Sequence, residues 1–356
     1  MTVRTVDDVT LRVAVIEALA SLVKGDPEEA LLWLGDFLLD HLMVPLTARQ
    51  LWDFLRSKGF SPREGLDPAL SERMRGLTNR YVNGVERARP TNLPIVARGE
   101  VDTVLAALTA SDGPRVVAVT GKPGSGKSTV VAAVCTRLTA LGVVVGPLRL
   151  DIADDAWTAD GLGTQADIGF GGPPGRILAR AAAGERAVLV VDQLDALSVL
   201  AGRGETVVDS VQEMLEQARA IEPVRVLVAC RSHDLTYDRR LRRLLHHDGT
   251  SDGADPPTDD LIEVPVGDLT VEQVHEALQR IGFAPDAAPA RLMPLLTNTF
   301  NLGLLASIVQ DAQLRGDLPA VDLAAIHAQQ DLLAAYHRGR SRRLRQTLGE
   351  IGRAHV

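Results

Sequence analysis

The feature that most constrains this chain is a glycine-rich segment between an apolar run and a helical pattern. Residues 121–129 read Gly-Lys-Pro-Gly-Ser-Gly-Lys-Ser-Thr and fit the pattern G-x-x-x-x-G-K-[ST]. The apolar run at residues 116–119 precedes it, and helical spacing over residues 128–141 follows. A loop placed in this way aims backbone N–H groups at phosphate oxygens, beside the positive end of a helix. The segment therefore predicts a phosphate-binding loop, and with it nucleotide binding.

The residue types in this loop predict distinct roles. Lys127 is expected to reach the β- and γ-phosphates, and the Ser128 hydroxyl is expected to hold Mg²⁺. Of only four lysines in the chain, Lys122 and Lys127 both lie here. The alternative is a glycine-rich turn that carries Gly-Lys-Ser by chance. The expected nucleotide-binding residues of the loop are Gly121, Gly124, Ser125, Gly126, Lys127, Ser128 and Thr129.

Composition limits the class of protein. With 356 residues the chain has room for two or three domains, and 46% hydrophobic with 24% charged residues is ordinary for a globular protein. A net charge of −8 argues against nucleic-acid or membrane-surface binding by the whole chain. Cys135 and Cys230 lie in apolar patterns and are expected to be buried thiols. Asp36 and Asp40 interrupt the apolar stretch at residues 30–44, so no membrane span is expected. We therefore expect a cytoplasmic protein.

Periodicity divides the chain into three parts. Residues 1–89 predict a helical domain, for which an adaptor or packing module fits better than an active site. Two prolines in the segment 89–94 predict a linker. Residues 95–266 predict the nucleotide-binding core. Residues 267–345 predict a helical lid that opens with a capping box at Thr270 and Gln273 and continues with helices over residues 292–309 and 323–336. The strands expected after the phosphate loop cover residues 143–152, 187–192, 224–230 and 261–266, and the proline of the last one places it at the edge of the sheet or at a strand end. Loops are expected over residues 154–174, which are glycine-rich, and 248–260.

A carboxylate ends the apolar strand at residues 187–192. A strand that is apolar on both faces belongs in the middle of a parallel sheet, and ligand groups gather at the carboxyl ends of such strands. Asp192 is therefore interpreted as the Walker B acid that holds Mg²⁺ together with Ser128. Asp195 either orients the attacking water or caps a helix, and both hypotheses stay open.

An arginine follows the strand at residues 224–230. Cations near the γ-phosphate stabilise charge in the transition state, so Arg231 is a sensor candidate, with a plain surface arginine as the alternative. The candidate catalytic residues are thus Asp192, Asp195 and Arg231. The arginine clusters at residues 239–243 and 338–345 are expected to be solvated helix faces.

Three further segments indicate a family. Arg98-Gly99-Glu100 precedes the loop, residues 190–197 read Val-Val-Asp-Gln-Leu-Asp-Ala-Leu, and residues 229–232 read Ala-Cys-Arg-Ser. With the order of the motifs, the chain over about residues 95–310 resembles the bacterial signal-transducing STAND ATPases, close to their NACHT branch. The resemblance implies an α/β P-loop NTPase fold with a parallel five-stranded sheet of the additional-strand (ASCE) type, flanked by an N-terminal helical domain and a C-terminal helical lid.

The resemblance also implies a function. In that family the core and lid hold ADP, and a sensed ligand permits ATP exchange and oligomerisation. We therefore expect ATP/ADP and Mg²⁺ as cofactors, slow hydrolysis, a homo-oligomer on activation, an unknown protein or ligand trigger, and a role in signal transduction, with defence as one candidate setting. Arg98 would lie near the adenine, and residues 298–302 would form a lid turn at the nucleotide. Thr299 stands where the family carries proline, and Gln193 stands where other ATPases carry glutamate.

Two other classes of protein remain open. An AAA-type ATPase acting on DNA or protein is the first alternative. A small-molecule P-loop kinase is the second, disfavoured by the many residues in helical segments beside the core.

Residues 350–356 match the translation of a common sequencing adapter, read as GAG ATC GGA AGA GCA CAC GTC. We therefore expect a truncated chain, the alternative being a short protein with a basic tail.

Overall fold

The computed structural model of this chain describes residues 23–41, 48–62, 68–93, 96–198, 205–245, 260–284, 288–315 and 323–354, with isolated positions before residue 23. Its strands are β1 (Val23–Lys24), β2 (Ser61–Pro62), β3 (Val116–Gly121), β4 (Val144–Arg149), β5 (Ala187–Asp192), β6 (Val224–Arg231) and β7 (Leu261–Pro265). Its α-helices are α1 (Pro27–Asp40), α2 (Ala48–Ser57), α3 (Pro68–Ala88), α4 (Gly99–Thr109), α5 (Lys127–Ala140), α6 (Ala159–Thr164), α7 (Pro174–Ala182), α8 (Glu205–Ala220), α9 (Ser232–Tyr237), α10 (Arg239–Leu245), α11 (Val271–Arg280), α12 (Met293–Leu296), α13 (Thr299–Arg315) and α14 (Gln329–Ala354). Most of the helix expected before residue 23, and of the loop expected near residues 248–260, lies outside the described residues.

A parallel sheet in the order β4-β5-β6-β3-β7 forms the centre of the described part of the chain. Every residue of β3 and of β5 is buried, which explains why both strands are apolar along most of their length. Strand β6 lies between the strand that carries the phosphate loop and the strand that ends at Asp192. This order confirms the predicted α/β P-loop NTPase fold with the additional strand. The proline of β7 stands on an edge strand, as expected.

Helix α3 packs on this sheet rather than with α1 and α2. Leu70, Met74 and Leu77 belong to the apolar cluster on one face of the sheet, and Tyr81 belongs to the cluster on the other. The Thr78 hydroxyl donates to the carbonyl of Val145 in the edge strand β4 at 2.7 Å. The helix therefore covers the β4 edge of the sheet. The sequence pattern places this helix in the N-terminal helical domain, because its periodicity shows a buried face but not what covers that face.

Three segments differ locally from their predicted form. The expected strand over residues 143–152 ends at Arg149 and continues as a 3₁₀ turn, Leu150–Ile152. The expected glycine-rich loop contains α6, because the Thr158 side chain accepts a hydrogen bond from the Gly161 N–H and caps a short helix. The helix expected from residue 323 begins as a 3₁₀ turn, Leu323–Ala325, and α14 starts at Gln329.

The segment after β7 forms a helical unit with its own apolar cluster. The predicted capping box is confirmed, since Thr270 and Gln273 exchange both of its hydrogen bonds at the start of α11. The single helix expected over residues 292–309 is divided into α12 and α13. Asn298 begins the second helix, because its Oδ1 accepts a hydrogen bond from the Phe300 N–H at 3.1 Å. This division turns the start of α13 toward the phosphate loop.

Cys135 and Cys230 are free and buried as predicted, and burial raises the pKa of Cys230 to about 12. None of the described helices is both long and apolar enough to cross a membrane alone, although the bent pair Ala290–Leu296 and Thr299–Leu314 passes the same test together.

Two glycines provide a test of the arrangement around the sheet. A Cβ at Gly146 in β4 would lie 2.8 Å from atoms of Phe170 and Leu178, whereas a Cβ at Gly76 in α3 meets nothing within 4 Å. We expect Gly146→Val to lower the free energy of unfolding by about 1–3 kcal/mol through overpacking. Gly76→Ala should raise it by up to about 1 kcal/mol through helix propensity. Urea unfolding followed by circular dichroism measures both, and equal effects would contradict the placement of β4 under α7.

Candidate functional site

The phosphate-binding loop has a backbone that requires glycine at two positions. Gly124 has φ +76° and Gly126, the N-cap of α5, has φ +95°. Residues other than glycine rarely adopt these values. A Cβ at Gly124 would also lie 2.7 Å from the Cβ of Phe300. The loop conformation and the close approach of the lid therefore both depend on glycine.

A cleft of about 550 Å³ opens in front of this loop. Most of the predicted site residues line it, namely Arg98, Gly124, Gly126, Lys127, Ser128, Thr129, Asp192, Asp195 and Arg231. Gly121 and Ser125 are not among the lining residues. Ser125 is buried, and a Cβ at Gly121 would lie 2.7 Å from its Oγ, so these two residues shape the loop from behind. The fold thus gathers residues that lie far apart along the chain into one cavity.

The Asp192 carboxylate is the most closely held group of the cleft. Its Oδ1 accepts from the Ser128 hydroxyl at 3.3 Å and from the Gln193 N–H at 2.9 Å. Its Oδ2 accepts from the hydroxyl of Tyr81 on α3 at 2.9 Å. Burial raises the pKa of Asp192, and these three hydrogen bonds oppose that shift. Burial, and next the charge of Asp192, raise the pKa of Tyr81 well above its usual value, so it stays a neutral donor.

The donor set beside the loop suits Mg²⁺. A hydroxyl and a carboxylate within hydrogen-bond distance are the oxygen ligands that Mg²⁺ takes beside nucleotide phosphates. Among the described residues no group of three or more His, Cys, Asp or Glu side chains could hold a metal ion. Phosphate oxygens or water would therefore have to complete the coordination of a metal ion bound by Ser128 and Asp192.

Lys127 is folded back onto its own loop. Its Nζ donates to the carbonyls of Gly121 at 3.1 Å and of Lys122 at 3.0 Å. Burial lowers the pKa of Lys127, and the negative charge of Asp195 opposes that shift. The ammonium group lies at the cleft, but its contact with phosphate stays a prediction.

Asp195 and Arg231 form an ion pair across the ends of β5 and β6. The Asp195 Oδ2 lies 2.9 Å from the Arg231 Nε, and the Asp195 side chain is only 10% exposed. Asp195 stands inside the 3₁₀ turn Leu194–Leu197, whose N-cap is Gln193 with φ +61°. The helix N-cap hypothesis for Asp195 is therefore wrong. The hypothesis that Asp195 orients water, and the sensor role of Arg231, stay predictions.

The lid turn lies directly on the phosphate loop. The Phe300 N–H donates to the Gly124 carbonyl at 3.1 Å, and the Asn298 Nδ2 donates to the Pro123 carbonyl at 3.3 Å. Thr299 accepts from the Arg98 guanidinium at 3.3 Å through its hydroxyl, and the sequence resemblance would place proline at this position. Proline has no hydroxyl for this contact. The lid and the loop are therefore held by backbone and side-chain hydrogen bonds together.

Arg98 connects three segments at this junction. Its guanidinium donates to the carbonyls of Ser125 and Gly267, each at 2.9 Å, besides the hydroxyl of Thr299. Its side chain is 8% exposed, and burial lowers its pKa while Glu100, 3.6 Å away, opposes that shift. The phosphate loop, the segment after β7 and the lid thus share one buried cation.

Tyr81 and Arg149 lie beside Asp192 and were not predicted as site residues. Tyr81 bonds Asp192, and Arg149 stands opposite Asp192 in the register of β4 and β5 while its Nε donates to Asp151 at 3.0 Å. A tyrosine on a buried helix face needs a partner for its hydroxyl, and this signal was present in the sequence. It did not indicate Asp192, which lies 111 residues away.

Two solved structures show a distant likeness to this chain. No family model matches the chain, and no curated protein matches it. A solved katanin structure, described as "Structural Basis for Katanin Self-Assembly", is 14% identical over 72% of this chain and 90% of that chain, with a TM-score of 0.39. A Walker-type ATPase of Pyrococcus abyssi is 14% identical over 73% of this chain and 76% of that chain, with a TM-score of 0.43. At this identity and these TM-scores, neither likeness says what this chain binds or does.

The contact between lid and loop can be tested at Gly124. In Gly124→Ala the new methyl group would displace Phe300 and Asn298, so hydrogen exchange of the amides in residues 297–304 should become faster. Gly142→Ala is the matched control, because Gly142 also has a positive φ, +80°, but its Cβ would meet nothing within 4 Å. Both variants should lose about 1–2 kcal/mol of stability from backbone strain. Mass spectrometry follows the exchange, and equal rates at the lid in the two variants would contradict the contact.

Proposed function

We propose that this protein binds ATP and ADP with Mg²⁺ in the cleft and acts as a slowly hydrolysing switch of the STAND/NACHT type in signal transduction. The approach of the Ser128 hydroxyl to the Asp192 carboxylate, 3.3 Å apart in front of a glycine loop at a helix N-terminus, carries the nucleotide part of this proposal. The docking of the lid on the same loop supports the switch.

The end of the cleft away from the phosphate loop suits the nucleoside part of a nucleotide. It is lined by apolar groups from the end of α3, the linker after it and α13, namely Val85, Ala88, Pro90, Leu93, Val96, Leu302 and Leu304. Such a surface suits a planar base, while the loop suits the phosphates. Arg98 lines the cleft too, but its guanidinium is bound to the loop and the lid. We therefore propose that Arg98 couples these two elements rather than reading the adenine.

The phosphate end supports a metal–nucleotide complex. When bound, Mg²⁺ neutralises phosphate charge and so favours charge shift in the transition state. Ser128 and Asp192 would hold the ion, and Lys127 would exchange its loop carbonyls for phosphate oxygens. The loop N–H groups and the start of α5 add fixed positive potential.

Slow turnover follows from the groups beyond Asp192. The next residue, Gln193, carries an amide and cannot accept a proton from water. Asp195 is a carboxylate within the cleft, but it is paired with Arg231. We propose that Asp195 orients the attacking water once a γ-phosphate draws Arg231 away. A hydrolysis step that must first break this ion pair suits a slow switch rather than an enzyme with rapid turnover.

The signalling role is the part of the proposal that rests on the family resemblance. It implies that a trigger, a protein or another ligand, permits exchange of ADP for ATP and then homo-oligomerisation. The hydrogen bonds that the lid turn and the phosphate loop share support this role, because a change in one element then moves the other.

Lys127→Ala tests the nucleotide site. We expect its affinity for ADP, measured by calorimetry, to fall about tenfold to a hundredfold, because a hydrogen bond to a charged group contributes about 1.5–3 kcal/mol. Lys122→Ala is the control from the same loop, since its side chain is 79% exposed and lies 3.7 Å from Asp268. The control should bind ADP nearly as wild type does. Unchanged affinity in Lys127→Ala would refute nucleotide binding by this loop.

Asp195→Asn tests the switch. Wild-type turnover should fall below the usual enzyme range of about 1–10³ s⁻¹, and the lid amides should exchange at different rates with ADP and with ATP. Asp195→Asn should slow a single turnover by about 10²–10⁴-fold and therefore keep the ATP pattern of exchange. Hydrolysis at the wild-type rate in this variant would rule out the proposed role of Asp195. Rapid constitutive turnover with identical lid exchange would rule out the switch.

One observation favours the alternative, an AAA-type ATPase that acts on DNA or protein. Arg239, Arg242 and Arg243 are exposed on α10, which follows β6 and α9. Exposed arginines of this kind suit a phosphate backbone. Turnover that rises on addition of DNA and falls again with salt would favour this alternative over the signalling switch.

A further inference from the structure

A helix from before the nucleotide-binding core reaches the Walker B acid. Tyr81 on α3 is 7% exposed, and its ring lies in the apolar cluster that includes Val130 and Val134 of α5. Although the ring has this apolar surrounding, its hydroxyl donates a hydrogen bond to the Asp192 Oδ2 at 2.9 Å. The phenol therefore places one polar atom beside the Asp192 carboxylate, which we propose as a ligand of Mg²⁺.

The two oxygens of Asp192 have different surroundings. Oδ1 faces Ser128 and the Gln193 N–H, which is the side of the phosphate loop. Oδ2 faces Tyr81. With a donor on each oxygen the plane of the carboxylate is held, and Oδ1 is the oxygen turned toward the other proposed metal ligand.

We propose that Tyr81 is a positioning residue, which holds the Asp192 carboxylate so that Oδ1 is presented, with the Ser128 hydroxyl, to Mg²⁺. The proposal rests on the proposed function of the same site. Groups that hydrogen-bond a metal ligand from outside typically change metal affinity about 10–100-fold when removed.

The test separates Mg²⁺-dependent from Mg²⁺-independent binding. Calorimetry with the non-hydrolysable analogue AMP-PNP gives the affinity in EDTA and in Mg²⁺, and their ratio is the Mg²⁺ enhancement. Tyr81→Phe keeps the ring and removes the hydroxyl, so affinity in EDTA should stay within about twofold of wild type. The Mg²⁺ enhancement should fall about tenfold or more.

Thr78→Val is the matched control. It removes a buried hydroxyl from the same helix, one turn earlier, whose partners are the carbonyls of Met74 and Val145 rather than Asp192. Both variants should lower the melting temperature, but Thr78→Val should keep the full Mg²⁺ enhancement. A loss of enhancement in both variants would show a general effect of weakening α3 and would overturn the proposal.

A double-mutant cycle tests whether Tyr81 acts through Asp192. Asp192→Asn should remove most of the Mg²⁺ enhancement, and adding Tyr81→Phe to it should change nothing further. An additional tenfold loss in the double variant, or a full enhancement in Tyr81→Phe alone, would overturn the proposal while leaving the nucleotide site intact. Failure of the wild-type protein to bind AMP-PNP at all would overturn the proposed function, and the role of Tyr81 with it.

Discussion

The rest of this site depends on the hydrogen bonds that the buried Asp192 carboxylate accepts. A carboxylate withdrawn from water is stable in its charged form only where hydrogen bonds replace the lost solvent. Here the donors come from three separate places, which are α5 through Ser128, the backbone after β5 through Gln193, and α3 through Tyr81. The mutual position of these elements is therefore tied to one charge, and a metal ion bound there would be sensitive to all of them.

A steric constraint connects this centre to the lid. The backbone of Phe300 reaches the carbonyl of Gly124 because the loop has no side chain at that position. Arg98 adds a buried cation that the loop and the lid share. The atoms that would surround phosphates and the atoms that hold the lid thus belong to the same short segment, and the proposed conformational response to the nucleotide rests on this shared segment.

Local patterns predicted much of this arrangement. The phosphate loop, the buried strand ending at Asp192, the strand before Arg231 and the capping box at Thr270 are all signals carried by neighbouring residues, and each is found where the pattern indicated. The partner of Asp195 is a contact that local patterns do not predict. Capping and ion pairing both suit an aspartate at a turn, and its partner Arg231 belongs to a different strand, so only the folded sheet distinguishes them.

The sequence by itself determined the fold class and the residue types of the loop, because glycine, lysine and serine at fixed spacing and wholly apolar strands each permit few structures. Only the tertiary structure decided what those residues meet. Periodicity predicted that α3 buries one face, but burial is non-directional and does not specify a partner. The order of the strands placed the β4 edge beneath this helix and brought Tyr81 to Asp192. A hydrogen bond between residues so distant in the chain follows from the sheet and from nothing local.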